Sequence, residues 1–85
     1  MNKIQLTYAI IGIRADGSIK CLENRTLPTF ESEDINEGLH TLNYLLSGYA
    51  LNYVESNGEE EFDRYELDID PRVNGDWGER YKYDI

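Results

Sequence analysis

The first third of the chain has the residue pattern of a β-hairpin. Residues 3–13 are rich in β-branched and aromatic side chains, which predicts a first strand. Asp16 and Gly17 follow and predict a type I′ turn, because that turn needs positive φ angles that Asp and Gly tolerate. The return strand is predicted from residue 18 to residue 22 or 24.

The end of this first strand is apolar on both of its faces. Ile10, Ile11 and Ile13 surround Gly12 there. A strand that is apolar on both faces is typical of a sheet interior, so we expect a neighbouring strand on each side. Gly12 has no side chain and predicts a bulge or a point of close packing.

Helical spacing begins near residue 32 and continues to about residue 47. Ser32 is the predicted N-cap, and Gly48 is the predicted residue just past the end of the helix. Gly38 lies inside the helix, where it either permits close packing on the sheet or is simply tolerated. The apolar stripe consists of Ile35, Leu39, Leu42, Leu45, Leu46 and Tyr49.

The last third of the chain predicts two further strands and a segment of undecided structure. Tyr and Leu alternate in residues 49–55, and after Gly48 this favours a third strand over a longer helix. Residues 56–59 predict a turn and residues 62–69 a fourth strand, which Pro71 is expected to end.

Residues 73–85 contain a turn signal at Asn74 and Gly75. After it, Trp77, Tyr81 and Tyr83 belong either to a short final strand or to an aromatic tail on the sheet. The element order is then β-β-α-β-β. The predicted fold is a single α+β domain over residues 1–85, with one helix packed on a small antiparallel sheet.

Negative charge is concentrated in the middle and later parts of the chain. Residues 31–79 contain fourteen acidic side chains and two basic ones, a net charge of −12. Residues 1–30 carry +2 and the last six residues carry +1, which leaves −9 for the whole chain. A field of one sign steers association with a partner of the opposite sign. The charge therefore predicts a basic partner and argues against direct binding to nucleic acid or to anionic lipid.

The composition indicates a cytoplasmic protein. A single cysteine, Cys21, excludes an internal disulfide bond, so nothing requires an oxidising compartment. We expect no signal peptide, and the longest apolar stretch, residues 8–13, is far too short to span a membrane. Few Ala and many Asn, Ile and Tyr fit an AT-rich coding sequence such as many phages and mobile elements have.

The sequence contains little catalytic or metal-binding chemistry. His40 lies off the apolar stripe, so a solvated side chain is the simplest interpretation. Cys21 is expected to be a small buried hydrophobe, because no second cysteine or cluster of cations adjoins it. Residues 68–76 resemble a calcium loop, but Arg72 and Val73 stand where an EF-hand needs an oxygen ligand and a glycine. We predict no catalytic residue, metal or cofactor; a small enzyme that uses carboxylates is the last-ranked alternative.

What remains is recognition by charge. On a strand, Glu66, Asp68 and Asp70 project from one face at intervals of about 6.6 Å. Such a carboxylate row can stand in for backbone phosphates and block a protein that holds nucleic acid with Lys and Arg, with nearby aromatic residues as anchors. Alternatively, the carboxylates are only solvated and the aromatic residues only close the core. The predicted partner-binding residues are Glu59, Glu60, Glu61, Asp63, Glu66, Asp68, Asp70, Asp76, Trp77 and Glu79.

In size, charge and single-domain build the chain resembles the broad class of small phage-encoded inhibitors, which includes anti-CRISPR, anti-restriction and other nucleic-acid-mimic proteins. It is similar in the same respects to bacterial immunity proteins that cap toxic nucleases. The resemblance implies a non-enzymatic inhibitor of a basic nucleic-acid-binding protein or nuclease, and it assigns no site residue. Two alternatives stay open: an immunity protein or antitoxin, and a homo-oligomeric interaction module, such as a homodimer, whose charge gives only solubility.

Overall fold

The computed structural model describes residues 1–57 and 62–85, which form a six-stranded antiparallel sheet with one helix packed on one face. The predicted α+β class is confirmed. β1 lies at the centre, with β2 and β3 on one side and β4 on the other, and β5 and β6 pair with the far edge of β4. In chain order the elements are β1 (Asn2–Ile13), β2 (Ile19–Thr26), β3 (Phe30–Ser32), α1 (Ile35–Asn57), β4 (Arg64–Val73), β5 (Asp76–Trp77) and β6 (Tyr81–Asp84).

The turn between β1 and β2 differs from the predicted type I′ turn. Gly17 has a φ of 89°, but Asp16 is not among the residues with positive φ. The Gly17 amide donates to the Arg14 carbonyl and the Arg14 amide to the Ser18 carbonyl, both at 2.9 Å. This is a three-residue loop that ends in a left-handed glycine. Asp16 stabilises the loop through its Oδ1, which accepts hydrogen bonds from the Ser18 amide at 2.9 Å and the Ser18 hydroxyl at 2.7 Å.

The start of α1 is capped by Asp34 and not by Ser32. The Asp34 Oδ1 accepts a hydrogen bond from the Glu37 amide at 3.1 Å, and its carbonyl accepts one from the Gly38 amide at 2.9 Å. Ser32 instead ends β3, a short strand that the sequence did not reveal, and its hydroxyl donates to the Asp34 carbonyl at 2.8 Å.

The helix continues through the segment predicted to be a third strand. Because α1 runs to Asn57, the strand predicted over residues 49–55 is wrong, and so is the turn at residues 56 and 57. Residues 58 and 59, the rest of that turn, lie outside the described residues.

Burial against the sheet explains why Gly48 does not end the helix. Ala50, Tyr53 and Val54 follow Leu46 at helical spacing and pack on the same core. In proteins most helical stability comes from such packing and not from intrinsic propensity. The tendency of Gly48 to end the helix is therefore outweighed by the burial of the residues that follow it.

Gly48 provides a test of this account. It lies in the exposed middle of α1, and a Cβ built on it would meet no atom of the described residues within 4 Å. Gly48→Ala should therefore raise the free energy of unfolding by about 0.5–1 kcal/mol, measured by urea denaturation in dilute solution. Gly17→Ala is the control and should lower stability, because its φ of 89° strains any side chain. Equal effects of the two changes would contradict the helical assignment at Gly48.

Pro71 lies inside β4, which continues to Val73, so the prediction that it ends the strand is wrong. The Leu6 carbonyl accepts a hydrogen bond from the Leu27 amide, on the side of β1 away from β4. The paired residues Leu6 and Pro71 are therefore a non-hydrogen-bonded pair of the β1–β4 ladder. The Pro71 nitrogen points away from β1, so the missing N–H costs that ladder no hydrogen bond. The Pro71 carbonyl accepts from the Gly78 amide at 2.8 Å.

The end of the chain forms strands and not a loose tail. Asn74 and Gly75 have φ angles of 51° and 86°, as a type I′ turn between β4 and β5 requires. Tyr81 and Tyr83 belong to β6 and pack against the core from the edge of the sheet. The Asn43 side-chain amide donates to the Tyr83 hydroxyl at 3.2 Å and links β6 to α1.

Two glycines mark close packing. A Cβ on Gly12 would lie 2.6 Å from the Phe62 ring, and one on Gly38 would lie 2.8 Å from the Ile4 side chain. The close-packing alternative is thus confirmed at both positions. The irregularity in the β1–β2 register lies elsewhere, between Ile10 and Ile11. The buried core under the helix consists of Ile4, Leu6, Tyr8, Ile10, Leu39, Leu46, Ala50, Leu67 and Ile69.

Candidate protein-binding surface

The sheet face that the helix leaves open carries the predicted carboxylate row. Leu67 and Ile69 of β4 are fully buried in the core beneath α1. Because side chains alternate along a strand, Glu66, Asp68 and Asp70 project from the opposite face. The row is continuous because β4 extends past Asp70.

Basic side chains from β6 and the residue before it lie beside this row. The Arg80 Nε is 2.7 Å from the Asp70 Oδ1, and the Lys82 Nζ is 3.9 Å from the Glu66 Oε1. In the sequence these cations lie outside the acidic segment, and only the pairing of β6 with β4 brings them to it. The row is therefore partly neutralised, which the sequence did not reveal.

Glu66 and Asp68 form a close carboxyl pair within the row. The pKa of Glu66 lies above its ordinary value, first because its carboxyl hydrogen-bonds the Asp68 side chain, and second because burial penalises its charged form. Within the described residues the Asp68 Oδ1 is buried and has no hydrogen-bond partner.

The pair predicts a pH dependence of stability. A raised pKa in the folded state contributes stability that is present below the unfolded pKa and lost as the pH rises through the folded pKa. Glu66→Gln should therefore stabilise the protein at neutral pH, and the gain should shrink as the pH falls through the raised pKa of Glu66 towards the ordinary carboxyl pKa of 4.5, below which it should vanish. Asp70→Asn is the control and should lower stability at neutral pH, because it removes the Arg80 contact. Urea denaturation at several pH values measures both, and a pH-independent gain for Glu66→Gln would contradict the pairing.

A second acidic surface lies at the end of the molecule where β1 begins. In the backbone register of the sheet, Glu31 of β3 lies opposite Lys3 of β1, and Ile4 lies opposite both Phe30 of β3 and Val73 of β4. At this end the strands lie in the order β3, β1, β4, β5. Since neighbouring strands are about 4.8 Å apart, β3 and β5 are roughly 14 Å apart. We call the carboxylates gathered there the acidic end: Glu31, Glu33, Asp34, Glu37 and Asp76.

The acidic end differs from the row in its pairing. All five of its residues are exposed, and in the part of the chain that the structure describes none of them is in an ion pair. Two cations are nearby: Lys3, which pairs with Glu31 in the sheet, and Arg72, in the strand register opposite Trp77. Negative charge is thus less compensated here than along β4.

Trp77 is an exposed aromatic residue next to the acidic end. Its side chain is 62% exposed, and the Arg72 guanidinium lies 5.1 Å from the ring centre. Asp76 precedes it in β5, and Glu79 is exposed in the loop that follows. By contrast, Tyr81 and Tyr83 are half-buried against the core, so among the three candidate anchors Trp77 is the most accessible.

The remaining predicted contact residues are not gathered at this end. Asp63 is exposed at the opposite end of the sheet, where its amide donates to the Ile13 carbonyl at 2.8 Å. Glu59, Glu60 and Glu61 lie outside the described residues. The residues that the sequence analysis did not select are Glu31, Glu33, Asp34 and Glu37, which only the pairing of β3 with β1 places near β5.

The reactive side chains are dispersed. His40 is exposed on α1. Cys21 is also exposed, on the open face of the edge strand β2, so the expectation that it is buried is wrong. Among the described residues no group of three or more His, Cys, Asp or Glu is placed to hold a metal ion. Residues 68–76 form strand, turn and strand and not a calcium loop.

No protein-family model, curated protein or solved structure matches the chain. Within the described residues, α1 lacks an apolar stretch long enough to cross a membrane.

Proposed function

We propose that this chain is a small acidic inhibitor without enzymatic activity. It binds the basic nucleic-acid-binding surface of another protein and blocks that surface, in the manner of anti-CRISPR and anti-restriction proteins encoded by phages and mobile elements. Its place of action is the cytoplasm, that of the host for a phage-encoded protein. The observation that carries the proposal is the acidic end, five exposed carboxylates that form no ion pair with residues 1–57 or 62–85, on a chain of net charge −9.

Electrostatics supports the choice of a basic partner. Clustered charges of one sign raise the rate of encounter with a surface of the opposite sign, and this effect weakens with salt. The acidic end contributes to such steering because its charges are exposed and, in the described part of the chain, form no ion pair. The carboxylate row on β4 contributes less, since Arg80 and Lys82 lie beside it.

Affinity needs an anchor in addition to charge. Charged rims mainly set the association rate, whereas desolvated aromatic side chains account for much of the binding energy. Trp77 is exposed, adjoins Asp76 and presents one ring face to Arg72. In the proposed complex it packs against the partner while the acidic end faces the partner's Lys and Arg.

Two variants of equal charge test which surface binds. The first replaces Glu31, Glu33 and Glu37 with Gln and keeps Asp34, which caps the helix. The second replaces Glu66 with Gln and Asp68 and Asp70 with Asn. Each removes three negative charges, so a difference between them reports the location of charge and not its total.

The measurement is affinity for the protein that the wild-type chain captures from bacterial lysate, once that protein is purified. We expect the first variant to bind at least tenfold more weakly with a flatter salt dependence, and the second to stay within about threefold of wild type. Equal losses would show that only total charge matters. Unchanged affinity in both variants, or a captured protein that binds no nucleic acid, would refute the proposal.

A further inference from the structure

The middle of α1 carries no charge, although the chain around it is highly charged. Residues 38–54 contain no Asp, Glu, Lys or Arg. A surface helix normally has charged residues on its solvent side. Here the solvent side has large apolar side chains instead: Tyr44 is 76% exposed, Leu45 61% and Leu51 47%. Apolar residues grouped on an exposed face indicate a contact surface.

The positions that form this exposed face are spaced symmetrically along the helix on either side of Gly48. Positions three or four residues away in either direction lie within about 60° of Gly48 around the helix axis. Leu45 and Leu51 are three residues away, Tyr44 and Asn52 are four away, and all five residues are exposed. We call them the helix face. No packing among the described residues requires Gly48 to lack a side chain, since a Cβ there would meet none of their atoms within 4 Å.

We propose that the helix face binds the helix face of a second copy of this chain, with the two helices antiparallel around a two-fold axis at Gly48. A two-fold interface must be self-complementary, and this spacing satisfies that condition. Leu45 packs on Leu51 of the second copy, and Tyr44 packs on Asn52 of the second copy. The two Gly48 residues face each other and let the backbones approach closely.

The charge distribution favours a second copy at this face. Two molecules that each carry −9 repel each other, so they associate most easily where neither presents carboxylates. Glu55 lies at the end of the helix face, seven residues from Gly48. The two-fold axis places it opposite Thr41 of the second copy and not opposite a second Glu55. A basic partner gains no charge contact from the helix face and is directed to the acidic end instead.

The size of the helix face predicts a weak dimer. Because a buried Tyr contributes on the order of 150–250 Å², we expect the contact to cover roughly 500 Å² of each copy, less than the ~800 Å² of a standard interface. The dimer should therefore have a dissociation constant on the order of 10–100 µM, and dilute solutions should contain monomers.

Sedimentation velocity over a range of concentrations tests the proposal. The wild-type chain should shift from monomer to dimer as its concentration rises. Leu45→Glu places a carboxylate on the face and should raise the dissociation constant at least tenfold. Ile19→Glu is the matched control, because Ile19 is 64% exposed on the edge strand β2, and it should stay within threefold of wild type.

Cross-linking tests the two-fold arrangement itself. In a Cys21→Ser background, Gly48→Cys should form a symmetric disulfide on mild oxidation, because the facing Cα atoms come within about 7 Å. Tyr44→Cys should not cross-link to Tyr44→Cys of the second copy, since the antiparallel arrangement shifts the two positions by about 12 Å along the helix axis. Circular dichroism shows whether each variant is folded.

Three results would overturn the proposal: a wild-type chain that stays monomeric at every concentration, a dimer that Leu45→Glu leaves intact, or faster cross-linking at position 44 than at position 48. A monomer that instead uses Leu45 to bind a different protein would also overturn it, since the proposed occupant is a second copy.

Discussion

Leu67→Ala should lower the free energy of unfolding by about 3–5 kcal/mol. Leu67 is fully buried at the centre of β4, paired with Ile10 of β1 on one side and Tyr83 of β6 on the other. Truncation removes apolar contacts with both strands and leaves a cavity that a sheet paired on both sides cannot easily close. A domain of 85 residues has a total stability of roughly 4–13 kcal/mol, so the change removes a large part of it.

Guanidinium denaturation followed by far-UV circular dichroism measures this loss. Leu45→Ala is the matched control, because it removes the same atoms from a side chain that is 61% exposed. In dilute solution it should change stability by less than about 0.5 kcal/mol. Similar losses in the two variants would mean that Leu67 is not in the core.

Gly12→Ala should lower the free energy of unfolding by about 1–3 kcal/mol, although it adds a single methyl group to a central strand. The new Cβ would lie 2.6 Å from the Phe62 ring, so the ring must move. Phe62 is 7% exposed, with the Tyr65 ring 5.7 Å away and the Arg14 guanidinium over its face at 5.1 Å. These neighbours leave little room for the ring to shift.

A double-mutant cycle identifies the clash as the cause. Phe62→Ala removes the three ring atoms nearest to Gly12, so the Gly12→Ala change should cost at least about 0.5 kcal/mol less in the Phe62→Ala background than in wild type. Additive effects would show that the two positions are not coupled. The loss would then come from the backbone of β1.

The elements that the sequence predicts well are those whose local and tertiary preferences agree. The interior position of β1 follows from its two apolar faces, and the turn at Asn74 and Gly75 follows from the positive φ angles that both residues adopt. The end of α1 was not predictable in this way. Gly48 is a typical helix terminator, but the burial of Ala50, Tyr53 and Val54 against the sheet keeps the chain helical.

Other differences arise because a sequence does not show which strands are neighbours. Pro71 is compatible with the middle of β4 only because its nitrogen faces away from β1, which depends on the register. β3 has only three residues, too few to show an alternation of apolar and polar side chains. It forms because β2 pairs only with residues 7–13 of β1 and leaves the edge at residues 2–4 open.

Strand pairing also explains why the distribution of charge along the sequence differs from its distribution on the folded surface. The run of negative charge over residues 31–79 suggested one acidic surface along β4. Pairing of β6 with β4 places Arg80 and Lys82 beside that row, while pairing of β3 with β1 gathers other carboxylates at the acidic end. The residues with the least compensated charge could therefore be found only from the topology.

Displacement of proteins from immobilised DNA tests the proposed inhibition most directly. Bacterial lysate is bound to DNA–cellulose and eluted with the wild-type chain, and then with the variant that has Gln at Glu31, Glu33 and Glu37. We expect the wild-type chain to release a specific nucleic-acid-binding protein at a concentration at which the variant releases none. No release by the wild-type chain, or equal release by the variant, would contradict inhibition through the acidic end.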